Sequence, residues 1–168
     1  MAKHAQVKVE LTGVHLCCQG CVNAADAALM SVAGVKSHCD MEKGTVAITA
    51  GDDAAAQKAL DALAAAGFYG RPGNQKLAMK AVSDVPRGKV NSLKVSGIHN
   101  CCEPCCEAIK EAIATVGGVT GDTVESQETT FEVIGDFDAA TLVKALNAAG
   151  FSARVESCKT AYPQSSNV

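Results

Sequence analysis

Hydrophobic and polar positions along the chain change their spacing in the same order twice. Residues 7–11, V-K-V-E-L, alternate apolar with polar side chains, and residues 93–95, L-K-V, do the same. This alternation predicts a half-buried strand at the start of each copy. Apolar positions then follow at helical steps, as Ile109, Ile113 and Val116 show in the second copy. Each copy therefore begins with a strand and continues as an amphipathic helix.

A pair of strands is predicted after this helix. A Gly-Val step at residues 34–35, repeated at 118–119, indicates the helix end, because glycine can adopt the left-handed cap conformation without a Cβ clash. Cys39 and Met41 then alternate along a strand, and we expect both side chains to lie in the core. A turn at residues 43–44 leads into the second strand of the pair.

A second helix and a short strand complete each copy. Asp52-Asp53 and Asp138 are suitable N-caps for this helix, and Gly67 and Gly150 are suitable ends. We expect the final strand to begin at the phenylalanine that follows each of these glycines. The order is β-α-β-β-α-β in both copies. The sequence thus predicts an α+β fold of two tandem ferredoxin-like domains.

The two copies align as a tandem repeat. The spacing between matching residues is 84 positions throughout the cysteine-rich loop. The first copy has Gly13, His15, Cys17, Cys18 and Cys21 where the second has Gly97, His99, Cys101, Cys102 and Cys105. The duplication supplies two samples of one loop, and the pattern H-x-C-C-x-x-C is present in both.

Domain boundaries follow from the repeat. We predict a first domain over residues 5–71, a linker over 72–90, a second domain over 91–158 and a flexible tail over 159–168. Two prolines, two glycines and four basic residues mark the linker. A turn or two of helix over Leu77–Val82 is the alternative within it.

Composition and charge exclude several classes of function. The 168 residues contain 15 Lys and Arg against 18 Asp and Glu, a net charge of −3. Because no basic run alternates with aromatic residues, we expect no nucleic-acid partner. No apolar stretch approaches the roughly 18 residues of a membrane span. Neither G-x-x-x-x-G-K-[ST] nor G-x-S-x-G occurs in a suitable context, so we expect no catalytic turnover.

The chemistry of the chain is concentrated in its cysteines. Seven of the nine lie in H-L-C-C-Q-G-C, residues 15–21, and H-N-C-C-E-P-C-C, residues 99–106. A disulfide scaffold spreads its cysteines along the chain, whereas clusters with two-residue gaps are typical of a soft-metal site or a redox pair. Each C-x-x-C also lies between a strand and a helix, where the helix dipole favours the thiolate form.

The order of strand, C-x-x-C, helix, Gly-Val, two strands, helix, Gly-Phe and strand resembles the heavy-metal-associated domains of copper chaperones and copper-ATPase tails. The resemblance covers both copies. It implies that Cys18, Cys21, Cys102 and Cys105 are Cu(I) ligands, and that a metal-donor or metal-acceptor protein is the partner.

The loop departs from the family pattern by two extra residues, which add a histidine and a third cysteine to each copy. The candidate metal ligands are therefore His15, Cys17, Cys18, Cys21, His99, Cys101, Cys102 and Cys105. Three thiolates hold a soft ion more tightly than two, and with the histidine they offer Zn2+ a tetrahedral set. Because Cu(I) shares bridging thiolates, we expect a multinuclear cluster within one chain or across a metal-linked dimer.

Several residues have a second interpretation. Cys17 or Cys101 could be a small buried hydrophobic residue, and His15 and His99 could be ordinary loop residues or partners of the ligands. Cys106 is interpreted as core packing or an auxiliary ligand. His4, His38 and Cys158 have no counterpart in the repeat and are left out of the site.

The leading functional hypothesis is soft-metal binding, with Cu(I) ahead of Zn2+, for copper trafficking, buffering or detoxification. A thiol–disulfide protein using the C-x-x-C pairs and a zinc-binding structural module are the alternatives. The start of the chain close to the first strand favours an exported, periplasmic protein whose signal peptide has been removed. Thiolate ligands would equally suit a reducing cytoplasm.

Overall fold

The computed structural model describes residues 5–80, 82 and 84–157. Within these residues, four helices and eight strands follow one another in two similar series. They are β1 (Val7–Thr12), α1 (Gln19–Met30), β2 (Lys36–Asp40), β3 (Thr45–Ala50), α2 (Asp53–Ala65), β4 (Arg71–Pro72), β5 (Lys89–Ser96), α3 (Glu103–Ala114), β6 (Val119–Asp122), β7 (Phe131–Asp138), α4 (Ala139–Ala148) and β8 (Arg154–Ser157). We call β1 to β4 with their helices the first half, and β5 to β8 with theirs the second half.

Each half has its own antiparallel sheet of four strands in the part of the chain that the structure describes. The strand order is β2-β3-β1-β4 in the first half and β6-β7-β5-β8 in the second. In both, the first strand of the half is central and pairs with the third strand and the last. This arrangement confirms the predicted α+β fold of two ferredoxin-like domains.

The helices cover one face of each sheet with apolar side chains four residues apart. Cys21, Ala25 and Leu29 form the buried face of α1, while Cys105 and Ile109 begin that of α3. A cysteine from the C-x-x-C motif thus lies at the first buried position of each of these helices, where the core reaches the loop. Among the described helices, none is long and apolar enough to cross a membrane.

The second helix of each half begins at the predicted cap. The Asp52 carboxylate accepts a hydrogen bond of 2.7 Å from Ala55 N, and Asp138 accepts one of 2.9 Å from Thr141 N. These side chains satisfy backbone donors that have no partner inside the helix. Asp52 rather than Asp53 is the cap in the first half.

Two predictions need correction. The helices α1 and α3 end at Met30 and Ala114, and three residues separate each end from Gly34 or Gly118, whose φ angles of +75° and +91° are left-handed. The prediction that Met41 lies in the core is wrong, because its side chain is 44% exposed. The strand ends at Asp40, whose carboxylate accepts hydrogen bonds from the next turn and directs the chain away from the sheet. Cys39 is half-buried against the core.

The predicted linker is partly packed onto the first half. Leu77 and Met79 are buried in the core of that half. The Gln57 side chain on α2 donates a 2.8 Å hydrogen bond to the Ala78 carbonyl. No helix forms over the described residues between 77 and 82. The segment that contains Leu77 and Met79 is therefore packed against the first half along α2. The predicted tail, 159–168, and Cys158 lie outside the described residues.

The phenylalanines after the second helices join the two halves. We expected Phe68 and Phe151 to begin the final strands, but those strands begin at Arg71 and Arg154, and the two phenylalanines form an antiparallel bridge with each other. Two backbone hydrogen bonds flank the bridge. They are Tyr69 N to Gly150 O at 3.0 Å and Ser152 N to Gly67 O at 2.9 Å. The halves therefore meet through equivalent segments, as the subunits of a two-fold dimer do.

Glycine is required at the centre of this contact. Gly67 and Gly150 have left-handed φ angles of +93° and +94°. A Cβ on Gly67 would collide with the backbone nitrogen of His99, and a Cβ on Gly150 would collide with that of His15. Each glycine thus lets the second helix of one half press against the cysteine-rich loop of the other.

We predict that Gly67→Ala separates the two halves without unfolding them. The added Cβ meets backbone atoms that cannot rotate away, so the contact must open. Small-angle X-ray scattering should show a larger radius of gyration, while circular dichroism keeps its helical and strand signal.

Gly34→Ala is the matched control. Its φ is also left-handed, but a Cβ there meets nothing within 4 Å. Both variants carry the backbone strain of about 1–2 kcal/mol, and only Gly67→Ala carries the collision. An unchanged radius of gyration in Gly67→Ala would contradict this interpretation of the contact.

Candidate metal centre

The two cysteine-rich loops lie against each other where the halves meet. One loop connects β1 to α1 and the other connects β5 to α3. Cys18 and Cys102 are the N-cap residues of these helices, with extended backbones and no hydrogen bond from the thiol to the helix. The thiols are therefore free to face the opposite loop. Pro104 lies in the first turn of α3, where its missing N–H removes no helical bond.

Six thiols form one cluster between the loops. Ten Sγ–Sγ distances among them lie between 3.3 and 3.9 Å. The members are Cys17, Cys18, Cys21, Cys101, Cys102 and Cys105, all of them free cysteines. We call this group the six-thiol cluster. The structure thus brings together all the predicted cysteine ligands of both loops within one chain.

The cluster has the same approximate two-fold symmetry as the chain. Cys17 Sγ lies 3.3 Å from Cys102 Sγ, and the equivalent pair, Cys101 and Cys18, is separated by 3.6 Å. The two motif cysteines that begin the buried helix faces, Cys21 and Cys105, meet at 3.7 Å. The shortest contacts join the halves rather than the two cysteines of one C-x-x-C motif.

Each predicted histidine approaches the half to which it does not belong. His99 is 8% exposed, its ring stacks on Phe68 at 4.3 Å, and its Nε2 lies 3.3 Å from Cys21 Sγ. His15 packs on Phe151 at 4.6 Å, and one of its ring nitrogens lies within 4.8 Å of Cys17 and Cys105 Sγ. The histidines are thus part of the contact between the halves and adjoin the sulfurs.

His15 also carries an unpaired polar atom. Its Nε2 is buried and has no hydrogen-bond partner among the described residues. Burial lowers the pKa of His15 below its usual value, which favours the neutral imidazole that binds metals. This buried nitrogen, which has no hydrogen-bond partner among the described residues, is therefore available to bind a metal ion held by the neighbouring thiols.

Burial varies across the cluster. Cys21 and Cys105 are buried, Cys18, Cys101 and Cys102 are half-buried, and Cys17 is exposed. The interpretation of Cys17 as a small buried hydrophobic residue is therefore wrong. Half-buried Cys101 faces other sulfurs, with Cys18, Cys21 and Cys105 within 3.9 Å.

Cys106 belongs to the core of the second half and not to the cluster. It is 4% exposed and packs among the apolar side chains beneath α3. Burial raises the pKa of its thiol. Of the two interpretations given above, core packing therefore describes its place in the structure.

The thiols share protons instead of ionising independently. The hydrogen bond with Cys105 lowers the pKa of Cys21 to about 2, with a further contribution from His99. The same hydrogen bond raises the pKa of Cys105, so one proton is held between the two sulfurs. Burial raises the pKa of Cys101 to about 12. Burial opposes ionisation at Cys102, but hydrogen bonds from the Cys105 backbone and neighbouring thiols lower its pKa overall.

Asn100 supports the structure of the site, although the repeat pattern H-x-C-C-x-x-C leaves its position undefined. It occupies the position of Leu16 and is 3% exposed. Its Nδ2 donates to the carbonyls of Glu125 and Glu128, at 2.8 and 2.9 Å. These bonds fix the loop before β7 against the cysteine-rich loop. A polar residue at a position that is apolar in the other copy was the available signal.

Comparisons with known proteins give little to add. No family model matches the sequence, and no curated protein matches it significantly. Among solved structures, the N-terminal soluble domains of Bacillus subtilis CopA, determined in solution, align with 91% of this chain and 95% of that one. The sequence identity is 16% and the TM-score 0.32. A similarity of this size carries no conclusion about function.

We predict that Cys102 of the reduced, metal-free protein is alkylated faster than its neighbour Cys101 at neutral pH. Only the thiolate attacks, and the pKa is lowered at Cys102 and raised to about 12 at Cys101. Limiting iodoacetamide followed by tandem mass spectrometry measures both sites, and raising the pH should narrow the difference. Buried Cys106 is the slow reference. Equal or faster labelling of Cys101 would contradict the assignment.

Proposed function

We propose that this protein binds Cu(I) in a multinuclear thiolate cluster shared by its two halves, for copper trafficking, buffering or detoxification. In this proposal the chain is a metal-binding protein and not an enzyme. The observation that carries it is the six-thiol cluster, in which every sulfur lies within 3.7 Å of a sulfur from the other loop. A metal-donor or metal-acceptor protein would exchange ions at the exposed thiol, Cys17.

The donor set supports a soft metal. The three groups of described side chains that lie close enough to share an ion contain only cysteine and histidine, without a carboxylate. Thiolates select Cu(I) and Zn2+ over Mg2+ and Ca2+, which require oxygen ligands. Sulfur outnumbers nitrogen in each group, as expected of a site for a soft ion such as Cu(I).

The spacing of the sulfurs supports several ions. Within the described cluster, four sets of three sulfurs have all their Sγ–Sγ distances below 4 Å. These sets are Cys17, Cys21 and Cys105; Cys21, Cys101 and Cys105; Cys17, Cys102 and Cys105; and Cys18, Cys21 and Cys101. A three-coordinate ion with bonds of about 2.3 Å spaces its sulfurs by about 4.0 Å. Each set therefore needs only a small expansion to hold one Cu(I).

Charge also favours more than one ion. Six ionised thiols carry a charge of −6, and a partly buried group of like charges is strongly disfavoured. One Cu(I) would leave most of this charge uncompensated, whereas one ion in each of the four sets would leave −2. Each further Cu(I) therefore stabilises the cluster until the four sets of three sulfurs are filled.

The contacts support metal binding over thiol–disulfide exchange. In a C-x-x-C redox centre, the two motif cysteines form the disulfide. Here the motif pairs, Cys18–Cys21 and Cys102–Cys105, are separated by 3.8 and 3.6 Å, and the shortest distance joins Cys17 to Cys102 in the other half. Neither motif pair is therefore singled out as the disulfide that this redox chemistry requires.

We predict that the reduced protein binds more than two and up to four Cu(I) per chain and remains a monomer. The six thiols of one chain are already together, so no second copy is needed. Anaerobic titration of Cu(I) against a chromophoric chelator gives the stoichiometry, and native mass spectrometry gives the oligomeric state. Cys105→Ser should lower the copper count more than Cys102→Ser, because Cys105 belongs to three of the four sets and Cys102 to one.

Cys39→Ser is the control, because Cys39 hydrogen-bonds to Asp26 outside the cluster. A plateau at two Cu(I), one for each half, would refute the shared multinuclear cluster. Failure to compete with a chelator of sub-micromolar affinity would remove the copper proposal altogether. Disulfide reductase activity in the metal-free protein would support the redox alternative, and a metal-linked dimer would show that the cluster is completed between chains.

A further inference from the structure

The six thiols divide into two positions of different coordination. We infer that Cys21, Cys101, Cys105 and His99 form a buried tetrahedral position for one zinc-like divalent ion. Once that ion is bound, the remaining thiols, Cys17, Cys18 and Cys102, form an open three-thiolate face for one Cu(I), in place of the multinuclear copper cluster proposed for the zinc-free chain. We call these the inner position and the outer face. The outer face rests on the proposed copper function, whereas the inner position stands on its own geometry.

The inner position already has tetrahedral spacing. Its three Sγ–Sγ distances are 3.7, 3.7 and 3.9 Å. An ion with four ligands and Zn–S bonds of about 2.3 Å spaces its sulfurs by about 3.8 Å. His99 Nε2 lies 3.3 Å from Cys21 Sγ, close to the roughly 3.5 Å that tetrahedral Zn–N and Zn–S bonds give. All four donor atoms lie within 4.8 Å of one another.

The equivalent group around His15 is incomplete. By the symmetry of the chain it would contain Cys17, Cys21 and Cys105, but only Cys17 and Cys105 join His15 within the same distance. The inner position and this group also share Cys105, so the two cannot be filled independently. His99 is almost fully buried against the sulfurs, whereas His15 is half-buried. The structure thus selects one of two related four-ligand sets.

The outer face contains the sulfurs that the inner position leaves. Cys102 Sγ lies 3.3 Å from Cys17 Sγ and 3.7 Å from Cys18 Sγ, and all three atoms lie within 4.8 Å. Cys17 is exposed and the other two are half-buried, so a thiol of a partner protein can reach this face. Three thiolates without a nitrogen donor suit Cu(I), which accepts fewer ligands than the tetrahedral Zn2+ of structural sites.

An ion in the inner position would hold the halves together. Cys21 belongs to the first half, and its other three ligands belong to the second. An ion that binds only the closed arrangement stabilises it in proportion to its affinity and concentration. The inner ion would therefore be retained as part of the structure, while ions on the outer face exchange.

The test is Zn2+ binding by the reduced, full-length chain and four variants, measured by competition with a chromophoric chelator. We expect one tight Zn2+ per chain. His99→Asn and Cys101→Ser remove inner ligands and should weaken Zn2+ binding by about tenfold or more, because loss of a residue that merely orients a ligand already costs about 10- to 100-fold in metal affinity. His15→Asn and Cys18→Ser leave the four inner ligands intact, and they should weaken Zn2+ binding much less than their counterparts His99→Asn and Cys101→Ser do. The ring-nitrogen resonances of His99, and not those of His15, should shift on zinc loading.

Subsequent addition of one Cu(I) should fill the outer face without releasing zinc. Equal losses in the two histidine variants, a loss in Cys18→Ser as large as in Cys101→Ser, or zinc release by the first Cu(I) would overturn the inference. These failures are separable from failure of the proposed function. Copper binding without a His99-dependent zinc site would refute the inner position and leave the copper proposal intact. A His99-dependent zinc site without copper binding would refute the copper proposal and leave the inner position intact.

Discussion

Thiols held in contact with one another cannot all be ionised unless cations lie among them, and this constraint governs the centre of the molecule. In the metal-free protein it is met by sharing protons. The pKa of Cys21 is lowered because Cys105 donates to it, and the pKa of Cys105 is raised by the same bond. Metal ions would replace these protons, and their positive charge would compensate the negative charge of the thiolates.

The backbone contact between the halves is what imposes this crowding. Gly67 and Gly150 lie against the loops of the opposite half, and the bridge between Phe68 and Phe151 fixes their relative position. The histidines stack on the same phenylalanines, so one contact orients both the loops and the imidazoles. The metal centre is therefore a property of the paired halves, and a single half would present only three of the six thiols.

Much of this could be predicted from the sequence because the signals are local. Alternation, helical spacing and the capping residues Asp52 and Asp138 gave the element order, and the repeat gave the equivalence of the two loops. The sequence left open whether the two loops meet within one chain or across a dimer, because a residue pattern cannot distinguish these two arrangements.

Other features depended on contacts between residues far apart in the chain. Phe68 and Phe151 look like the first residues of strands, and only the three-dimensional structure shows that they pair with each other. The glycines before them look like ordinary helix ends, since the collision that forbids a Cβ involves the opposite half. Likewise, the different burial of His15 and His99 arises from packing around two motifs that share the pattern H-x-C-C-x-x-C.

X-ray absorption at the copper edge of the Cu(I)-loaded chain tests the central claim most directly. A cluster shared by both loops predicts copper surrounded by three sulfurs, with a second copper at short distance in the outer shell. Copper bound by two sulfurs in a linear arrangement, without a neighbouring copper, would show that each C-x-x-C motif acts alone and would contradict the account.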